Sequence, residues 1–175
     1  PLVALSEKSF SAFEGGTQVF VYTKDKANLF AALCAILGHL NLDIQDARII
    51  TTEDGYSMDT FVVLNADGNT INQTPALLEQ LKQRLTQALQ YPDDFAYIVQ
   101  QRQPRTHKLF NQRATVSLSN PEGHSWTRLE LSSADRPGLL AQVGLVFMHL
   151  DITIQKAKIQ SIGGQVEDVF FITQN

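Results

Sequence analysis

Apolar positions along this chain follow two rhythms. From Trp126 to Ser132 they alternate, the period of a half-buried strand. From Leu139 to Leu150 they return every three or four residues. Leu139, Leu140, Val143, Val146, Phe147 and Leu150 fall on one broad helix face. Between the two stretches stands Asp135-Arg136-Pro137-Gly138. Pro137 fixes φ for a turn, and Gly138 permits a close backbone approach or a positive φ. Two strand-like runs follow, 152–159 and 166–173, parted by Gly163-Gly164.

The same order of elements occurs 110 residues earlier. Asp25, Leu29, Ala31, His39, Leu40, Ile44, Gln45, Ala47 and Ile49 coincide with Asp135, Leu139, Ala141, His149, Leu150, Ile154, Gln155, Ala157 and Ile159. After a one-residue gap Asp59 and Phe61 meet Asp168 and Phe170. The chain therefore carries two copies of one unit, strand–turn–helix–strand–strand. In both copies the inward residues change phase at one point, between Ile44 and Ala47 and between Ile154 and Ala157. One extra residue in each strand, a β-bulge, explains this. Asp54-Gly55 is the hairpin turn of the first copy.

The remaining pattern sets provisional boundaries. Residues 1–16 read as a lead-in with turn signals at Glu14-Gly15-Gly16. Thr74-Pro75 marks a helix start, followed by an apolar stripe through Leu77, Leu78, Leu81, Leu85, Ala88 and Leu89. Residues 17–91 together with 114–119 then make a β-α-β-β-α-β first domain, with Thr115–Ser119 as its fourth strand. Residues 92–113 form a polar, basic insert. The second domain, 124–175, stops after its third strand. This predicts an α+β chain of two ferredoxin-like βαββαβ domains, the second truncated. The start at Pro1-Leu2-Val3, with no initiator methionine, suggests a piece of something longer.

Composition narrows the function classes. With 43% hydrophobic and 18% charged residues, the sequence is that of an ordinary globular protein, and a net charge of −4 argues against nucleic acid. No apolar window is long enough to span a membrane. The single cysteine, Cys34, rules out an internal disulfide and fits a reducing compartment. It reads as a buried small hydrophobe or, less simply, as a reactive thiol. His39, His107, His124 and His149 show no metal spacing, and no nucleophile, phosphate-loop or dinucleotide motif is present. His39 and His149 sit at equivalent helix ends, where a cation suits the dipole. The adjacent carboxylates Asp93-Asp94 and Glu167-Asp168 read as solvated turn or strand faces. Arg102, Arg105, Lys108 and Arg113 form a basic cluster, either a solvated linker or a docking segment for an acidic surface. Asp135 and His149 lie at opposite ends of one helix, roughly 20 Å apart, too far to act together on one substrate.

One candidate site remains. A helix starting at Gly138 offers free N–H groups to an anion, and Asp135 offers a carboxylate to a cation. Opposite charges at that spacing suit an α-amino acid; a plain strand-to-helix turn is the alternative.

The strings Asp135-Arg136-Pro137-Gly138-Leu139-Leu140, His149-Leu150-Asp151-Ile152 and Val166-Glu167-Asp168-Val169-Phe170 resemble the ACT domain, a small amino-acid-sensing module. Together with Asn28-Leu29-Phe30, Asp46-Ala47 and Met58-Asp59-Thr60-Phe61, the tandem resembles the C-terminal ACT pair of bacterial bifunctional uridylyltransferase/uridylyl-removing enzymes. The resemblance implies a non-catalytic, cytoplasmic sensing segment of a nucleotidyltransferase that also removes uridylyl groups. It implies glutamine as ligand, the PII signal protein and the parent's catalytic domains as partners, and magnesium and UTP only in the parent. Pairing through ACT sheets into a homodimer, or a purely structural assembly role, is the alternative. Carried onto this chain, Asp135, Arg136, Pro137, Gly138 and Leu139 would face Asp43 and Ile44. A weaker reciprocal site would set Asp25, Lys26, Ala27 and Asn28 against Thr153, because Ala27-Asn28 stands where the pattern has Pro-Gly.

Overall fold

The computed structural model describes residues 1–10, 13–91, 114–136 and 138–174. The basic cluster, Asp93-Asp94 and Pro137 lie outside them. The first copy comprises β1 (Leu2–Phe10), β2 (Phe13–Lys24), α1 (Leu29–His39), β3 (Asp43–Thr51), β4 (Tyr56–Leu64) and α2 (Pro75–Gln90). The second comprises β5 (Thr115–Ser119), β6 (Thr127–Ala134), α3 (Leu139–His149), β7 (Ile152–Ile162) and β8 (Gln165–Gln174). All eight strands join one antiparallel sheet in the order β1-β2-β4-β3-β7-β8-β6-β5. Each half of that order mirrors the other, so the two copies meet edge to edge at β3 and β7.

Strand alternation decides which face is covered. Val19 and Val21 on β2, Phe61 and Val63 on β4, Ala47 and Ile49 on β3, and Ala157 and Ile159 on β7 are all buried under the helices. Phe170 on β8 is fully buried, with Phe147 and Phe30 packed edge-on at centroid distances of 5.1 and 6.1 Å. Phe30 belongs to the first copy, so one core runs through both. Burying a side chain of this size contributes about 1.5–3 kcal/mol, and the shared core therefore ties the copies together.

The expected bulges are present. Register slips between Ile44 and Asp46 and between Ile154 and Lys156, at Gln45 and Gln155. The expected glycine turns also form, with positive φ at Gly55, Gly163 and Gly164. Thr74 precedes α2, but its backbone carbonyl, not its side chain, engages the helix start.

Two expectations are corrected. Thr115–Ser119 is not the fourth strand of the first copy; it pairs with β6, from Thr115↔Ser132 to Ser119↔Arg128, and edges the second copy. The edge of the first copy is β1, in the stretch expected as lead-in and loop. Val3 and Leu5 pair with Val21 and Val19 and point into the same core. β2 likewise runs through Glu14-Gly15-Gly16, expected as a turn. Each copy thus starts with its edge strand. The second copy has four strands and, among the described residues, one helix.

Candidate functional site

At their described residues the two strand–helix turns make matching backbone hydrogen bonds. Asp135 N–H donates to Gly164 O at 2.9 Å, and Asp25 N–H donates to Gly55 O at 2.8 Å. Each turn is thereby fixed to the hairpin glycine of its own copy. Leu139 N–H bonds Arg136 O and Leu29 N–H bonds Lys26 O, both at 3.2 Å. Gly138 and Asn28 precede the helices with φ of 79° and 68°. Asparagine is one of the few residues that tolerates this left-handed conformation, which explains how Asn28 replaces glycine. A Cβ at Gly138 would meet nothing within 4 Å, so the space beside it is open.

That space is a cleft of about 680 Å³ between the copies. Asp135, Arg136, Gly138 and Leu139 line one wall and Asp43 and Ile44 the other. Pro137 lies outside the described residues. Sequence reasoning did not count Asn41, Gln45 or Asn65 among the site residues, yet they line the same cleft. Gln45 is the bulge residue, and its Nε2 donates to Asp43 Oδ2 at 2.7 Å; the phase change in the pattern is the one signal that marks it. The reciprocal residues also converge. Asp25, Lys26, Ala27 and Asn28 share a smaller cleft of about 270 Å³ with Thr153. Lys26 does not reach inward, because its Nζ bonds Leu89 O and Gln90 O at the end of α2, at 2.9 and 3.3 Å.

Electrostatics favour a cation beside the larger cleft's two aspartates. Burial and the charge of Asp135 raise the Asp43 pKa, against the opposing hydrogen bond from Gln45. Asp135 accepts a short hydrogen bond from Ser161 Oγ. An ammonium group placed between Asp43 and Asp135 would relieve their repulsion. In the smaller cleft, burial likewise raises Asp25.

Asp168 is not on a solvated strand face, as expected, but buried at 1% exposure. It shares the inward parity of Val166 and Phe170. Burial pushes its pKa to about 7; a backbone N–H from Gln160 opposes this and Asp135 adds to it. Asp59, its repeat partner, is also raised to about 7 by burial, although Ser57 Oγ donates to it at 2.5 Å. Cys34 lies near both. Burial, then Asp59 and Asp168, hold its thiol well above its ordinary pKa, which removes the reactive-thiol reading. Among the described residues no three metal-ligating side chains converge, and no helix is long and apolar enough to cross a membrane.

The two βαββ repeats thus form one paired sheet, with a cleft beside each strand–helix turn. No family model matches the chain. Its sequence is 46% identical over 173 residues to the bifunctional uridylyltransferase/uridylyl-removing enzyme of Pseudomonas fluorescens, covering 99% of this chain and 19% of that one. The enzymes of the same description from Ectopseudomonas mendocina and Pseudomonas putida are 45% and 44% identical over the same span. The resemblance read from the motifs is thereby borne out. The chain belongs with these enzymes as a segment spanning about one fifth of their length. An aspartate kinase from Synechocystis superimposes with a TM-score of 0.49 at 13% identity, over 93% of this chain and 24% of the kinase.

Proposed function

We propose that this chain is the amino-acid-sensing segment of a uridylyltransferase/uridylyl-removing enzyme and that glutamine occupies the larger cleft. The observation that carries this is the cleft in which the Asp135–Gly138 turn of one copy faces Asp43 and Ile44 of the other. The ligand's ammonium lies between Asp43 and Asp135, and its carboxylate meets the N-terminal end of α3. The amide side chains of Asn41, Gln45 and Asn65 line the remaining wall. They suit an uncharged amide tip better than a carboxylate, which would add a third negative group to the site. The reciprocal cleft, with Asp25 and Thr153, is the weaker site.

Because the cleft has one wall from each copy, a bound ligand stabilises one relative arrangement of the copies. It biases the parent between adding and removing uridylyl groups on the PII protein only as far as it binds the two states differently. Magnesium and UTP serve the parent's catalytic domains.

A thermal-shift panel of the twenty amino acids tests the reading. Glutamine should raise the melting temperature most, with glutamate clearly less effective. An equal response to both would remove the ligand assignment. A melting temperature that rises with protein concentration and ignores every amino acid would favour assembly through the outer strands β1 and β5.

A further inference from the structure

The described helices pack on one face of the sheet, over Ala47, Ile49, Ala157 and Ile159. Strand residues between these point to the opposite face. Arg48, Lys156 and Lys158 stand there, and all three are exposed. Arg48 and Lys158 are equivalent residues of the two copies, 110 positions apart. They also stand directly opposite each other where β3 pairs with β7. Ala47 meets Ile159 on one side of this pair and Ile49 meets Ala157 on the other, so the pseudo-twofold axis between the copies passes through it. A residue at this position therefore faces its own counterpart, roughly 5 Å away between Cβ atoms. A cation in both copies makes a like-charge pair, which destabilises a sheet. Lys156, opposite Ile50, adds a third charge beside it. Among the described residues none of the three enters an ion pair; Arg128 and Glu130 form one on this face, at 2.6 Å. Asp46 and Glu167 stand opposite Gln160 and Ser132 instead.

The surroundings of the charges narrow the partner. One row across five neighbouring strands reads Tyr22, Met58, Ile50, Lys156 and Phe171. Tyr22 and Ile50 are 37% and 39% exposed. Aromatic residues, Met and Arg are the types enriched at protein interfaces. Single-stranded nucleic acid needs free ring faces and a charged track. Here Tyr22 stacks on Tyr56 at 5.3 Å, and Trp126 lies against His124 and Phe171 at 4.4 and 4.7 Å. The net charge of −4 also opposes a long polyanion. A second copy laid on this face about the same axis would bring two Arg48–Lys158 pairs together.

We propose that the helix-free face of the sheet docks an acidic surface of another protein, with carboxylates on Arg48, Lys156 and Lys158 and apolar side chains on Tyr22, Met58 and Ile50. The partner's carboxylates relieve a repulsion that the free chain carries. The face is separate from both clefts, and docking there requires no ligand in them.

The test titrates the chain with a short synthetic peptide rich in glutamate and leucine, followed by amide chemical shifts. Shifts should concentrate at Arg48, Ile50, Lys156 and Lys158, and affinity should fall as salt rises. Replacing the peptide's leucines with serine should weaken binding. Arg48→Glu turns the like-charge pair into an opposite one, so it should melt above the unaltered chain and bind the peptide about tenfold or more weakly. Lys158→Glu, across the axis, should do the same. Absence of shifts at these residues, or unchanged peptide binding in both variants, overturns the proposal. A lower melting temperature in both variants does so too, since the pair is then not a source of repulsion. A single-stranded oligonucleotide that binds the face more tightly than the peptide assigns it to nucleic acid instead. Shifts at the same residues that grow with the chain's own concentration assign it to a second copy.

Discussion

Gly144 of α3 rests on Ala31 of α1 so closely that a Cβ at Gly144 would stand 2.8 Å from the Ala31 Cα. The obstacle is backbone, which cannot turn aside as a long side chain can. The contact sets the helix spacing across the repeat interface, and Gly144 also lines the smaller cleft. Gly144→Val should therefore destabilise the fold by about 1–3 kcal/mol, read from urea unfolding. Gly38, in α1, offers a control, since a Cβ there meets nothing within 4 Å. Gly38→Ala should stabilise by about 0.5–1 kcal/mol.

The buried aspartates make stability depend on pH. Asp168 titrates near 7 in the folded protein, against about 3.9 in an unfolded chain. Its contribution is therefore full below about pH 4 and is lost as the pH rises through 7, where the buried carboxyl must ionise. Asp59 acts in the same direction. Asp168→Asn keeps the acceptor for Gln160 without the charge. It should flatten the stability profile between about pH 4 and 7 and exceed the parent at pH 8 by roughly 1 kcal/mol or more. A parallel profile for the two proteins would show that Asp168 is not the titrating group.

Lys26 predicts a local effect. Lys26→Met removes the two contacts to Leu89 O and Gln90 O and should cost about 0.5–1.5 kcal/mol. Faster hydrogen exchange confined to the last turn of α2 would confirm it. Uniformly faster exchange would point to a wider role.

Much of this architecture was legible because the repeat wrote it twice. The bulges at Gln45 and Gln155 and the paired turns at Asp25 and Asp135 each appear in two independent stretches, so a chance pattern was easy to discount. The edge strands were not legible. Val3 and Leu5, and Val116 and Leu118, alternate in short runs, and alternation alone does not say which strand a run joins; both pair with the strand that follows them in sequence. Asp168 was misplaced because a carboxylate beside Glu167 looks solvated, although its spacing from Val166 and Phe170 places it inward. The residues alone marked the clefts as two turns, and the family resemblance added Asp43, Ile44 and Thr153 opposite them; the walls supplied by Asn41 and Asn65 depend on the two copies meeting at β3 and β7.

Asn28 shows that the left-handed residue before the helix need not be glycine. Gly138→Asn should fold as the parent does, since Asn28 adopts φ of 68° in the equivalent turn. Gly138→Val forces a β-branched residue to φ of 79°, which costs about 1–2 kcal/mol, and adds bulk beside the cleft. Circular dichroism should show both variants folded, with the valine variant melting earlier. Equal melting would mean that the turn relaxes out of its left-handed form.

The central claim is that a small zwitterion binds between the copies at the Asp135–Gly138 turn. Titration calorimetry with glutamine tests it most directly, on the parent chain and on Gly138→Val and Asp43→Asn. The account predicts saturable heat for the parent, strongly weakened binding in both variants, and little response to the same substitutions when the smaller cleft is filled. Absence of heat at millimolar glutamine, or an unchanged isotherm in both variants, would contradict it.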